Sequence, residues 1–220
     1  MKKWIGAVLI KAITFDFWNT LYRTRIPTNN ERIHIIEEVL VGQGHRVKTK
    51  NIENAVINIT LPGDLVEETA VKIGHAVLSG ISEPAAGSVE TIKRLSKEYK
   101  LGVISDTGVS PSYVLKELLK RAGIIEYFKA LVFSDEFGKS KPDCSVFMQA
   151  LELLDVEPKE AVQVGDLKRT DMEGAGAAGM YSIRYAGIYD DTNSGFCEAN
   201  VVVNDFSELE YAVKKLAIKP

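Results

Sequence analysis

The chain has 220 residues, of which 45% are hydrophobic and 26% charged, as is typical of a globular protein that buries its own core without a disulfide or metal staple. A formal net charge of −3 argues against nucleic acid or an anionic membrane surface as the main partner. The two cysteines, Cys144 and Cys197, lie far apart and lack zinc-ligand spacing, which indicates unpaired thiols in a reducing cytosol.

The N-terminal segment has some features of a short secretory signal, because Lys2 and Lys3 precede an apolar run at 4–10. However, Lys11 interrupts that run and no small-residue cleavage site follows it. No stretch of the sequence approaches the roughly 20 apolar residues that are needed to span a bilayer. We therefore expect a cytoplasmic protein that does not enter the membrane.

Short apolar runs alternate with longer segments of helical periodicity, and this pattern predicts a parallel sheet that is covered by helices on both faces. In chain order the predicted strands are Ala12–Phe15, Leu101–Ile104, Leu131–Phe133, Ala161–Val164, Tyr181–Ile183 and, at an edge, Val201–Val203. One intervening helix is predicted to have Ser110 as its N-cap, Pro111 at its first position and Gly123 after its end. A second helix is predicted at 144–154. The fold class is therefore α/β, with a Rossmann-like core.

The segment at 27–83 differs from the rest, because it has helical periodicity throughout although it lies between the first two predicted strands. Breaks at 42–44, 62–63 and 80–84 divide it into three predicted helices. We expect an α-helical cap at 25–83, inserted into an α/β core that is formed by 1–24 and 84–220.

Polar side chains follow four of the predicted strands. They are Asp16 after the first strand, Ser105 and Asp106 after the second, Lys141 some residues after the third, and Asp166 and Asp171 after the fourth. Ligands bind outside the carboxyl ends of the strands in an open parallel sheet, so we expect these groups to converge at one edge. Crowded carboxylates repel one another. A divalent cation and an anionic substrate would relieve that repulsion.

The four segments, in this order, resemble the four motifs of the haloacid dehalogenase superfamily, and the predicted cap resembles the insertion that this superfamily carries between its first and second motifs. The resemblance covers most of the chain. It implies a magnesium-dependent hydrolase that forms an aspartyl intermediate on Asp16. The implied residues are catalytic Asp16, Ser105 and Lys141; substrate-binding Thr20, Ser105, Asp106 and Lys141; and metal-binding Asp16, the backbone carbonyl of Trp18, Asp166 and, in support of metal-bound water, Asp171.

One position departs from the phosphatases of that superfamily, which carry a second aspartate two residues after the nucleophile as a general acid and base. Trp18 stands there in this chain. An indole exchanges no proton at a useful pKa. The loss of a general acid and base lowers the rate by a factor on the order of 10² to 10⁴. We expect weak turnover, or a preference for substrates with good leaving groups. A histidine has a suitable pKa, and one hypothesis is that a histidine of the cap replaces the acid; the three candidates are His34, His45 and His75.

Other functions remain open at this point. The 2-haloacid dehalogenases also have an aromatic residue beside the nucleophile, but they need no metal and lack the Gly165–Asp166 pair. Phosphonate-cleaving members use a cap lysine, for which Lys48, Lys50 and Lys72 are the candidates. A binding or regulatory protein without turnover is a third alternative. The preferred prediction is a phosphohydrolase that acts on a small phosphorylated metabolite with Mg²⁺, as a monomer or small homo-oligomer.

Overall fold

The computed structural model describes residues 9–24, 37, 41–42, 78, 82–107, 110–192 and 194–217. Nearly all of the predicted cap, including its three histidines and three lysines, lies outside the described residues, so the cap stays a prediction. In the described part of the chain, no helix combines the length and the apolar character that a membrane crossing requires. Cys144 is half-buried and Cys197 is exposed, and both are free thiols.

Six parallel strands form the central sheet, and their bounds are β1 Ala12–Phe15, β4 Lys100–Ser105, β5 Phe128–Phe133, β6 Ala161–Gly165, β7 Tyr181–Tyr185 and β8 Val201–Val203. Their spatial order is β5-β4-β1-β6-β7-β8. All six predicted strands are confirmed, and β8 is an edge strand as expected. Two further strands, β2 (Tyr22–Thr24) and β3 (Ser82–Pro84), pair antiparallel with each other and were not predicted.

Helices cover both faces of the sheet. They are α1 Ser88–Leu95, α2 Ser112–Arg121, α3 Ser134–Phe137, α4 Cys144–Leu154, α5 Glu173–Ala177 and α6 Leu209–Ala217, and a π-helical turn at Lys168–Met172 precedes α5. Alternate residues of β1 point to opposite faces, so Ile13 and Phe15 pack with α1, α2 and α6, whereas Ala12 packs with α4 and α5. The Rossmann-like α/β core is therefore confirmed.

The start of α2 differs from the prediction. The helix begins at Ser112, with Pro111 in extended conformation before it, so Ser110 is not the N-cap. Instead, the Ser112 backbone N–H donates to the Asp135 carboxylate of α3 at 2.8 Å. A carboxylate that is distant in sequence satisfies the free amide, and this removes the need for a local capping side chain. Gly123 follows the end of α2 at φ 61°, as predicted.

Candidate active site

Asp16 lies at the carboxyl edge of the sheet, directly after β1. Its backbone N–H donates to the Val164 carbonyl at 2.8 Å, which extends the pairing of β1 with β6 by one residue. The Asp16 side chain is buried, and its Oδ1 accepts a hydrogen bond from Lys141 Nζ at 2.6 Å. The same ammonium donates to Asp171 Oδ1 at 2.8 Å. Lys141 therefore connects the first predicted motif to the fourth.

The Lys141 backbone is held by the loop after β4. Asp106 Oδ1 accepts the Lys141 N–H at 2.9 Å, which ties two of the polar loops together. In the same loop, the Thr107 N–H donates to Ser134 Oγ at 2.9 Å. Ser105 is buried at the end of β4, and its hydroxyl is 3.4 Å from the Asp106 carbonyl oxygen. The structure thus places Asp106 against Lys141.

Three carboxylates meet beside Lys141. Asp16, Asp166 and Asp171 are all buried, and each offers an oxygen that lies within 4.8 Å of the other two. Gly165 permits this approach, because a Cβ at this position would stand 2.2 Å from Asp171 Cγ. We refer to Asp16, Asp106, Asp166, Asp171 and Lys141 as the acidic cluster.

The acidic cluster contains more acidic groups than basic groups, and burial together with this excess shifts their pKa values. Burial raises the pKa of Asp16 well above its usual value; Lys141 opposes this shift, while Asp171 and Asp166 add to it. Burial and then the charge of Asp171 raise the pKa of Asp166 to about 7, against the opposing effects of Lys141 and of a hydrogen bond from Asn19. Burial alone would lower the pKa of Lys141, but the carboxylates around it raise it. Four carboxylates thus face one ammonium ion.

This arrangement fits a hard divalent cation. Mg²⁺ prefers one or two carboxylates together with water and phosphate oxygens, and added positive charge would relieve the repulsion that raises the carboxyl pKa values. The fit rests on the donor set and on the approach that Gly165 allows. Asp16, Asp166 and Asp171 are the residues that could hold the ion.

The segment after Asp16 packs into the core. Trp18 is half-buried, with its ring edge-on to Phe17 at 4.7 Å between centroids, and Phe17 in turn stacks on Tyr22 at 4.8 Å. Thr20 is fully buried, and its hydroxyl has no hydrogen-bond partner among the described residues. Because an indole exchanges no proton at a useful pKa, Trp18 cannot act as a general acid for a leaving group.

Two residues of the site were missed by the sequence prediction. Asn19 Nδ2 donates to Asp166 Oδ2 at 3.3 Å, from a backbone at φ 57° that asparagine tolerates better than most residues. Gln163 Nε2 donates to Asp171 Oδ1 at 2.9 Å, and Gln163 Oε1 accepts the Thr14 hydroxyl at 2.6 Å. For Gln163, the available signal was a polar residue in an otherwise apolar strand, since a buried amide must be hydrogen-bonded.

Comparison with known proteins identifies the class. Residues 13–185 match the model of the haloacid dehalogenase-like hydrolases, so the chain belongs to that family. It is 27% identical to a glyceraldehyde 3-phosphate phosphatase of Methanothermobacter thermautotrophicus, over 92% of this chain and 99% of that protein. A protein of the same name from Methanopyrus kandleri is 29% identical, over 83% of this chain and 87% of its own length.

Solved structures support the same fold. A HAD phosphatase from Thermococcus onnurineus superposes with a TM-score of 0.69 at 21% identity, covering 93% of this chain and 98% of its own. A 2-haloacid dehalogenase from Pseudomonas syringae superposes with a TM-score of 0.73 at 21% identity, covering 94% and 99%. Because both kinds of enzyme share the backbone, the backbone alone does not separate phosphatase from dehalogenase.

Proposed function

We propose that the chain is a magnesium-dependent phosphatase that acts on a small phosphorylated metabolite through an aspartyl-phosphate intermediate on Asp16. The observation that carries this proposal is the acidic cluster, in which three carboxylates lie within 4.8 Å of one another beside a buried lysine. Such a donor set suits a divalent cation together with a dianionic phosphate. A halide leaving group would need neither.

In this proposal, Asp16, the Trp18 carbonyl and Asp166 would hold the metal, and Asp171 would orient water beside it. When bound, Mg²⁺ supplies positive charge that stabilises the phosphoryl oxygens in the transition state. The Lys141 ammonium stands 2.6 Å from the Asp16 carboxylate and provides a second positive charge at the place where the phosphoryl group would sit.

The reaction is proposed to begin with Asp16. One of its oxygens attacks phosphorus in line, and the bond from phosphorus to the leaving oxygen breaks. The Ser105 hydroxyl and Lys141 hold the equatorial oxygens, while Thr20 shapes the first loop. Asp106 was predicted to bind substrate, but its carboxylate accepts the Lys141 N–H, and this contact supports a role in placing Lys141. A water molecule then attacks phosphorus in the aspartyl phosphate and releases Asp16.

The leaving group must depart with little protonation, because Trp18 replaces the usual acid. We therefore propose that esters with acidic leaving groups, such as aryl phosphates, turn over faster than alkyl phosphates. The hypothesis that a cap histidine supplies the proton concerns residues outside the described part of the chain and stays a prediction.

The named relatives support the substrate class. Two archaeal proteins that match most of this chain are called glyceraldehyde 3-phosphate phosphatases, and that substrate is a small phosphate ester. We propose a substrate of similar size, handled in the cytoplasm by a monomer or small homo-oligomer. The net charge of −3 also disfavours a nucleic acid substrate.

A substrate panel with and without Mg²⁺ tests this proposal against its rivals. We expect phosphate release from 4-nitrophenyl phosphate only with Mg²⁺, and slower release from an alkyl phosphate. Metal-independent chloride release from 2-chloropropionate would instead identify a dehalogenase. If neither phosphate nor chloride is released while Mg²⁺ still binds, the fold serves as a binding protein.

A further inference from the structure

A second group of charged residues lies beside the loop that carries Asp166 and Asp171. We call it the Arg184 network, and it consists of Lys168, Arg184, Asp190, Asp191 and Glu198. Arg184 on β7 is buried and donates to both carboxylate oxygens of Glu198, at 2.8 and 3.1 Å. It also donates to Asp190 at 2.6 Å. This bidentate geometry holds Glu198, which lies in the segment that precedes β8, against Arg184.

Lys168 connects the Arg184 network to the loop that carries Asp166 and Asp171, which we call the metal loop. Its ammonium is 3.2 Å from Glu198 Oε2 and 3.3 Å from the Thr192 carbonyl oxygen, and the side chain is almost fully buried. Its backbone N–H donates to Asp191 Oδ2 at 2.8 Å, and Asp191 is itself buried. Lys168 is therefore held at its side chain and at its backbone.

The hydrogen bond from the Lys168 N–H to Asp191 restrains the loop that carries Asp166 and Asp171. Leu167 is the only residue between Asp166 and Lys168, and the π-helical turn that begins at Lys168 contains Asp171. A second hydrogen bond of this kind in the loop, from the Leu167 N–H to Asp171 Oδ2, is longer, at 3.4 Å. The hydrogen bond to Asp191 is thus the shortest such restraint on the loop among the described contacts, and it comes from a residue outside the acidic cluster.

We propose that Asp191 is a positioning residue for the divalent cation. By accepting the Lys168 N–H, it fixes the backbone from which Asp166 and Asp171 project and so keeps the Asp166 ligand oxygen and the supporting Asp171 carboxylate in place around the metal site. This inference rests on the proposed metal site. Residues that orient metal ligands typically contribute 10-fold to 100-fold, as an order of magnitude, to metal affinity.

The test is a direct binding titration of the full chain with Mn²⁺, in which the electron paramagnetic resonance signal of the free ion is followed. We expect Asp191→Ala to weaken Mn²⁺ affinity by about 10-fold to 100-fold. Asp191→Asn keeps an oxygen that can accept the Lys168 N–H, so its affinity should stay within about threefold of the parent. This difference separates the hydrogen bond from the charge of Asp191.

Asp205→Ala is the matched control. Asp205 also accepts a backbone N–H, that of Ser207 at 2.7 Å, but it does so after the edge strand β8, away from the metal loop. Its removal should leave Mn²⁺ affinity unchanged. Thermal unfolding of each variant, followed by circular dichroism, verifies that the protein titrated is folded.

Kinetics provide a second readout. In Asp191→Ala, the Mg²⁺ concentration for half-maximal phosphate release should rise with the loss of affinity, whereas turnover at saturating Mg²⁺ should recover to within about threefold.

A folded Asp191→Ala protein with parental Mn²⁺ affinity overturns the positioning role alone. Equal weakening by Ala and Asn also overturns it, because the charge would then be responsible. A parent protein without saturable Mn²⁺ binding overturns both this inference and the proposed metal site.

Discussion

The acidic cluster and the Arg184 network are built from the same kinds of residue, but the pKa values of their carboxyl groups shift in opposite directions. In the acidic cluster, burial and mutual repulsion raise the carboxyl pKa values, that of Asp166 to about 7. In the Arg184 network, burial would raise the pKa of Glu198, but hydrogen bonds from Arg184, Ala199 and Lys168 lower it to about 2. A network whose charges satisfy one another stabilises the fold, whereas a cluster with excess negative charge is prepared to bind a cation.

The largest expected effect comes from changing Asp16 to Asn. Because an amide is a very poor nucleophile, Asp16→Asn should lower phosphate release by 10⁴-fold or more, on the order seen when a catalytic nucleophile is removed. Release of 4-nitrophenol at saturating Mg²⁺ measures this effect. Residual activity within 100-fold of the parent, in protein that is free of contaminating phosphatase, would rule out Asp16 as the nucleophile.

Changing Lys141 to Met should unbalance the acidic cluster further. The variant removes the cation that Asp16 and Asp171 share, and breaking a buried ion pair costs about 3–5 kcal/mol. We expect a loss of this size in the free energy of unfolding, measured by urea denaturation in EDTA, and partial recovery in Mg²⁺. The control is Lys214→Met, since Lys214 pairs with Glu210 at the surface, where solvent screens the pair and its loss should have a much smaller effect. Equal effects of the two variants would contradict the predicted difference.

Changing Trp18 to Asp tests whether the absence of a general acid limits turnover. If the carboxyl group reaches the leaving oxygen, turnover of alkyl phosphates should rise by about 10²-fold, the lower limit for general acid–base catalysis. Turnover of aryl phosphates should change much less, because their leaving groups need little protonation. Trp18→Asn is the matched control, since it loses the same packing on Phe17 without gaining an acid. A similar gain in both variants would show that relief of bulk, and not proton transfer, is responsible.

The smallest expected effect concerns Glu198 and pH. Its pKa is lower in the folded protein than the ordinary value of 4.5, so the stability that it contributes is present above pH 4.5 and is lost as the pH falls towards about 2. Glu198 is partly exposed, and after allowance for solvent screening we expect Glu198→Gln to cost about 1 kcal/mol at pH 7. In urea denaturation, the difference between parent and variant should shrink below pH 4.5. A difference that grows on acidification would contradict the low pKa.

Much of this account could be predicted from the sequence, because it depends on local patterns. The apolar runs located all six strands of the central sheet, and the residues that follow those runs, Asp16 and Asp166 among them, lie together as the topology requires. The pairing of β2 with β3 was missed, since these short segments have no alternating pattern and pair across nearly 60 intervening residues.

The missed contacts share one physical cause, which is that they depend on the folded backbone and not on a local sequence pattern. Asp135 caps α2 from 23 residues away, Gln163 on β6 donates to Asp171 in the π-helical turn eight residues later, and Asp191 accepts the Lys168 N–H from 23 residues away. Each contact depends on where the backbone places a carboxylate or amide, and no periodicity records that position. Gln163 was the most accessible of the three, because a buried polar residue in a strand requires a partner.

Reductive trapping tests the central claim most directly. Since Trp18 offers no base to activate water, an aspartyl phosphate formed from an aryl phosphate should persist long enough to be reduced by borohydride to the alcohol. We predict that mass spectrometry of the digested protein finds this modification at Asp16, that it requires Mg²⁺, and that Asp16→Asn abolishes it. Modification at another residue, or at Asp16 without any divalent cation, would contradict the account.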